Sequence, residues 1–94
     1  MASYRVEFER AARRALDRLP EPARLRVFNR IVALEGEPRP ASAEMLSAAD
    51  GLFRIRVGDY RVIYAIEDDR LLVLVLRVAH RREAYRKLLR VRLR

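Results

Sequence analysis

Residues 53–66 read FRIRVGDYRVIYAI, and this stretch decides the fold. Apolar and polar residues alternate on both sides of Gly58-Asp59, the period-two pattern of two β-strands. Gly58-Asp59 suits a two-residue hairpin turn, because glycine readily supplies positive φ. With that loop, Val57 faces Tyr60, Arg56 faces Arg61 and Ile55 faces Val62. Directly paired residues share a face of the sheet. Phe53, Ile55, Val57, Tyr60, Val62, Tyr64 and Ile66 therefore form one apolar face, and Arg54, Arg56 and Arg61 share the other.

The opposed pair Arg56 and Arg61 is informative. Like charges placed directly across a ladder, about 5 Å apart at Cβ, are destabilising. A sheet shaped only for stability avoids that pairing. A sheet that holds an anion uses it, because guanidinium groups take phosphate bidentately. One such arginine would read as the solvated side of a half-buried sheet. Three at one hairpin end read as a phosphate grip.

Downstream, residues 71–76 are wholly apolar, as expected of a central strand covered on both faces. Taking Asp68-Asp69 as a second tight turn, strands are expected at 60–67 and 71–78, with Tyr64 opposite Val73 and Arg61 opposite Leu76. Residues 79–85 then leave the sheet beside Arg56 and Arg61, carrying His80, Arg81, Arg82 and Tyr85 toward the same place. A short helix is expected around 84–89.

Upstream, Tyr4, Val6 and Phe8 alternate with Arg5 and Glu7 as a short opening strand. The period then lengthens. Phe8, Ala12, Ala15, Leu16 and Leu19 fall on one helical face. Pro20 stops this helix, and Pro22 suits the first turn of the next. Leu25, Phe28, Ile31 and Val32 continue the second helix, and Gly36 fits its C-terminal cap. Residues 37–51, with Pro38, Pro40, Ser42, Ser47, Asp50 and Gly51, read as a connecting loop. The expected order is β-α-α-β-β-β-α. This is an α+β domain spanning residues 1–94, an antiparallel-rich sheet packed on a two-helix hairpin with a short C-terminal helix.

Composition narrows the chemistry. The chain has 94 residues and 51% apolar content, enough for one modest core. It has no cysteine and one histidine, which rules out thiol nucleophiles, disulfides and a Cys- or His-rich metal site. No cofactor is expected. The apolar run at 71–76 is too short to cross a membrane, and the N-terminus has no signal-peptide pattern, so a cytoplasmic location is expected. The formal net charge is +8. Residues 1–50 hold nine arginines against eight acids, for +1; residues 51–94 hold twelve Arg/Lys against five acids, for +7. A GC-rich genome explains arginine over lysine but not this asymmetry. A localised basic excess points to a polyanion, here nucleic acid.

The stretch FRIRVGDYRVIYAI, followed by VAHRREAY, resembles the RelE/ParE superfamily of bacterial toxins. The likeness runs through the whole chain: the opening strand, the helical hairpin, the Pro38-Arg39-Pro40 loop and the strands in order. The resemblance to RelE-type members implies the toxin of a type II toxin–antitoxin system. Such a toxin is a ribosome-dependent, metal-independent endoribonuclease that cuts mRNA by attack of the ribose 2′-OH on the adjacent phosphate. Carried over position by position, it implies phosphate binding by Arg54 and Arg56, catalytic parts for Arg61, Arg81 and Tyr85, and a cognate antitoxin as partner beside the ribosome and mRNA. Arg82 adds to the basic cluster.

One departure matters. The best-known members carry lysines where this chain has Arg54 and Arg56, and arginine is a poor general base. Histidine is the side chain best suited to proton transfer at physiological pH, so His80 is a candidate acid or base, with Tyr85 and more weakly Glu83 beside it. Two alternatives stay open: a ParE-like toxin that inhibits DNA gyrase, and a catalytically weak binding member of the same fold.

Overall fold

The computed structural model describes Ser3–Arg81. The expected helix at 84–89, and with it Arg82, Glu83 and Tyr85, lies outside the described residues. Element order is β1 (Arg5–Phe8), α1 (Arg10–Asp17), α2 (Glu21–Ala33), β2 (Glu44–Ser47), β3 (Leu52–Val57), β4 (Tyr60–Glu67), a 3-10 turn (Asp68–Arg70) and β5 (Leu72–His80). The five strands form one sheet in the order β1-β5-β4-β3-β2. β1 runs parallel to β5, and the other neighbours are antiparallel. Two helices on one face of a mostly antiparallel sheet make an α+β fold.

The hairpin forms as the alternation dictates. Val57 pairs with Tyr60, Arg56 with Arg61 and Ile55 with Val62. Gly58 takes φ +60° at the turn. Ile55, Val57, Val62, Tyr64 and Ile66 bury their side chains under the helices, against Leu16, Val27, Ile31 and Leu34. Inside this core the Tyr64 hydroxyl donates to the Pro38 carbonyl at 2.8 Å. Burial pushes its pKa up to about 12. That bond fastens the start of the 37–51 segment onto the sheet.

The structure departs from the expectation in three places. First, the segment read as a loop contains a strand. β2 pairs with β3 through Glu44↔Arg54 and Met45↔Phe53, then slips register before Ser47↔Leu52. Four residues with one neighbouring strand and a register slip leave no usable alternation. Just after it, Gly51 sits at φ +60°, where an added Cβ would stand 2.7 Å from the Ile66 carbonyl oxygen.

Second, α2 buries a different stripe. Ala23, Val27 and Ile31 face the core, while Leu25, Phe28 and Val32 are 50%, 39% and 39% exposed. Of the residues read as its core face, only Ile31 is buried. The helix carries apolar residues on two sides, and periodicity cannot say which side meets the sheet.

Third, the β4–β5 register is shifted. Tyr64 pairs with Val75 rather than Val73, and Arg61 with Ala79 rather than Leu76. The connection is wider than two residues: a 3-10 turn is followed by Leu71 in the left-handed region, at φ 49°. A register break between Ile63 and Tyr64 then takes up one more residue, Leu76, on β5. One extra residue exchanges the faces of everything beyond it. β5 consequently runs on to His80.

At the end of the sheet away from Gly58, the Arg39 guanidinium makes a bidentate pair with Asp68, at 3.1 and 2.7 Å. The Tyr4 hydroxyl donates to the same carboxylate at 2.6 Å. Arg39, and after it Tyr4, hold the Asp68 carboxyl below its ordinary range.

Candidate nucleic-acid interface

The face of the hairpin turned away from the helices carries Arg54, Arg56 and Arg61. Arg56 is exposed and stands directly opposite the half-exposed Arg61. The Arg61 guanidinium curls toward the turn, donating to the carbonyls of Gly58 at 3.2 Å and Tyr60 at 3.1 Å. These contacts hold its carbon stem while leaving other N–H groups of the fork for a ligand.

Arg54 is different. Its side chain is only 11% exposed and forms an ion pair with Glu44 on the neighbouring strand β2. Burial first, then repulsion from Arg56 and Arg61, lowers its pKa from the ordinary arginine value. Three guanidinium groups thus share this face. Glu44 partly offsets their charge and fixes where the Arg54 guanidinium lies. Sequence reading missed Glu44, because its relation to Arg54 depends on a strand pairing the local pattern does not display.

The arginines stand on an apolar floor. Leu52, Ile63 and Ala79 form a second buried cluster, with Leu46, Ala65 and Leu76 packed against it. Low-polarity surroundings strengthen charge interactions at such a site relative to open solvent.

Arg81 follows the end of β5, at the hairpin turn. Its backbone N–H donates to the Asp59 carbonyl at 2.8 Å, which ties the end of β5 to the hairpin turn. His80 is placed elsewhere. Because β5 takes up an extra residue, His80 pairs with Tyr60 and shares its helix-facing side of the sheet. The two rings meet edge to face, with centroids 6.1 Å apart. The described structure therefore brings Arg54, Arg56 and Arg61 together on one face, adds Arg81 beside the turn, and sets His80 on the opposite face. Arg82, Tyr85 and Glu83 lie outside the described residues.

Comparison with known proteins agrees with this architecture. The sequence pattern of the family described as "ParE toxin of type II toxin-antitoxin system, parDE" matches residues 6–85. Toxin RelG of Mycobacterium tuberculosis is 35% identical over 89 residues, covering 89% of this chain and 98% of that protein. The chain belongs to the RelE/ParE toxin family. Toxin RelE of the same organism is 33% identical over 84 residues, covering 88% of this RelE/ParE member and 87% of its relative. Among solved structures, the M. tuberculosis toxin–antitoxin complex RelBE2 contains a chain 36% identical, with a TM-score of 0.74, covering 86% of this chain and 94% of that one. The archaeal RelE–RelB complex from Pyrococcus horikoshii contains one 31% identical, with a TM-score of 0.78, covering 87% and 99%. These relatives carry Rel names, so the gyrase-directed alternative is not favoured.

Proposed function

We propose that this RelE/ParE family member is the toxin of a type II toxin–antitoxin pair and acts in the cytoplasm as a ribosome-dependent endoribonuclease on mRNA. The observation that supports this most is the directly opposed pair Arg56 and Arg61 on the open face of the hairpin, with Arg81 tied to the turn beside them. In the reaction the ribose 2′-oxygen loses its proton and attacks the adjacent phosphorus, the P–O5′ bond breaks, and the departing 5′-oxygen takes up a proton, leaving a 2′,3′-cyclic phosphate and a 5′-hydroxyl. Negative charge builds on the equatorial oxygens of the phosphorane. Arg61 and Arg81 stabilise that charge, and Arg54, Arg56 and Arg82 hold the strand's phosphates.

Arginine is protonated at any working pH, so the 2′-OH proton goes to another group. The candidates are Tyr85, His80 and Glu83. His80 meets Tyr60 on the helix side, so RNA on the arginine face reaches it only round the end of the sheet. Tyr85 is accordingly the first assignment for proton exchange. A cognate antitoxin completes the system. The solved relatives from M. tuberculosis and P. horikoshii are a toxin–antitoxin complex, RelBE2, and a RelE–RelB complex. The net charge of +8 and the exposed stripe Leu25, Phe28 and Val32 suit a partly acidic segment that folds as it wraps.

The test is a translation reaction containing ribosomes, with 5′ ends of the mRNA mapped. Wild-type protein is expected to cut mRNA. Arg61→Ala is expected to leave it intact while remaining cooperatively folded, because the side chain lies outside the core. Uncut mRNA with active wild type, supercoiling blocked in its place, or undiminished cutting by Arg61→Ala overturns the reading.

A further inference from the structure

The helix-facing side of the same sheet end holds a second basic cleft, separate from the arginine face. β1 accompanies β5 only as far as Phe8↔Val75, so among the described residues the edge of β5 beyond Val75 has no strand beside it. α1 packs over that stretch and leaves a cavity of about 380 Å³, lined by Arg14, Arg18, Tyr60, Arg77, Val78 and His80 among others. No acidic side chain lines it among the described residues.

Arg13 has Asp17 four residues on, at 3.3 Å. Arg14, in the last turn of α1, has at that spacing only Arg18, the C-cap just beyond the helix, so two like charges lie one turn apart beside the cleft. Arg14 and Arg18 are both exposed, and neither has an ion-pair partner among the described residues. The wall opposite them is aromatic: Tyr60 and His80 hold each other edge to face, which presents ring surface at a fixed angle. A pair of guanidinium groups facing ring surface over an apolar floor is matched by one nucleotide, with its phosphate on the arginines and its base against a ring. A bare phosphate would leave the aromatic wall unused.

We infer that the cleft between α1 and the end of β5 is a second RNA subsite, in which Arg14 and Arg18 hold a phosphate and Tyr60 or His80 contacts the attached base. This rests on the RNA reading of the arginine face and extends it: the end of the hairpin is gripped from both sides of the sheet. The nucleotide comes either from the same strand passing round the hairpin end or from a separate RNA segment.

Fluorescence anisotropy with a labelled trinucleotide and a labelled dodecanucleotide, each over a range of salt, tests this. Arg14→Gln/Arg18→Gln is compared with Arg56→Gln/Arg61→Gln and with Arg5→Gln/Arg70→Gln, which removes the same charge at the far end of the sheet. The α1 variant is expected to flatten the slope of log K against log salt by about 0.7, for the one single-strand phosphate the pair holds. The far-end variant is expected to hold the wild-type slope. Loss confined to the dodecanucleotide supports one strand passing round the end, and loss with both lengths supports a separately bound segment. A 4-thiouridine probe is expected to crosslink to a peptide containing Tyr60 or His80. If the α1 variant matches the far-end variant while Arg56→Gln/Arg61→Gln loses affinity, the second subsite is wrong and the arginine face stands. If neither basic pair affects binding, the RNA reading falls and takes the subsite with it.

Discussion

Replacing Arg56 with threonine separates the stability of this fold from its proposed activity, because the two should move in opposite directions. Arg56 is exposed, and no hydrogen bond or ion pair holds it in the described structure. It stands directly across from Arg61, and its charge helps to lower the pKa of Arg54. Two unit charges about 6 Å apart repel by about 0.7 kcal/mol in water-like surroundings. That falls within the range of about 0.2–1 kcal/mol for cross-strand pairs. Threonine keeps the β-branched preference of a strand, so nothing is lost locally. Arg56→Thr is therefore expected to stabilise the fold by about 0.7 kcal/mol at low salt. In urea, with a slope of about 1.4 kcal/mol per molar, the midpoint rises by about 0.5 M. Repeating the titration in about 1 M salt, where the screening length is about 3 Å, should erase most of the gain. RNA binding by the same variant should weaken, with the salt slope flatter by about 0.7 for one phosphate lost. A fall in stability, or a gain that persists unchanged at high salt, would refute the charge-strain reasoning.

Three further outcomes follow from the fold. Tyr64→Phe leaves the buried Pro38 carbonyl without its donor and should cost about 1–3 kcal/mol in denaturant unfolding; a neutral result would mean that the 2.8 Å bond does not anchor the loop. Gly51→Ala places a Cβ 2.7 Å from the Ile66 carbonyl oxygen at φ +60°, so a loss of at least about 1–2 kcal/mol is expected, and wild-type melting would contradict it. Asp68 has a lowered folded pKa, so its contribution is present above the ordinary carboxylate pKa and disappears as pH falls through the lowered value. Melting temperature should accordingly drop more steeply on acidification below about pH 4 in wild type than in Asp68→Asn, and parallel curves would remove Asp68 from the acid response.

Part of the candidate site is legible in the sequence alone. Arg54, Arg56 and Arg61 share a face because strand alternation and a two-residue turn permit one arrangement only, and both are local. His80 was not legible in the same way. Its face depends on a register break at Ile63/Tyr64 and on a wide turn through Leu71, and neither leaves a mark on the alternation of β5, which is apolar almost throughout. Glu44 escaped for a related reason. Its strand is four residues long, and only the pairing with β3 sets it against Arg54.

The amino-acid sequence by itself determined the hairpin and its basic face, because a period of two and adjacent pairing are properties of the chain over a dozen residues. It determined the presence of both helices through the prolines and the lengthened period. Only the tertiary structure decided which side of α2 meets the sheet. Leu25, Phe28 and Val32 are as apolar as Val27 and Ile31, and the choice rests on which set fits the sheet's inner face. Only the tertiary structure decided the face of His80 as well, since one extra residue in a ladder reverses every side chain beyond it.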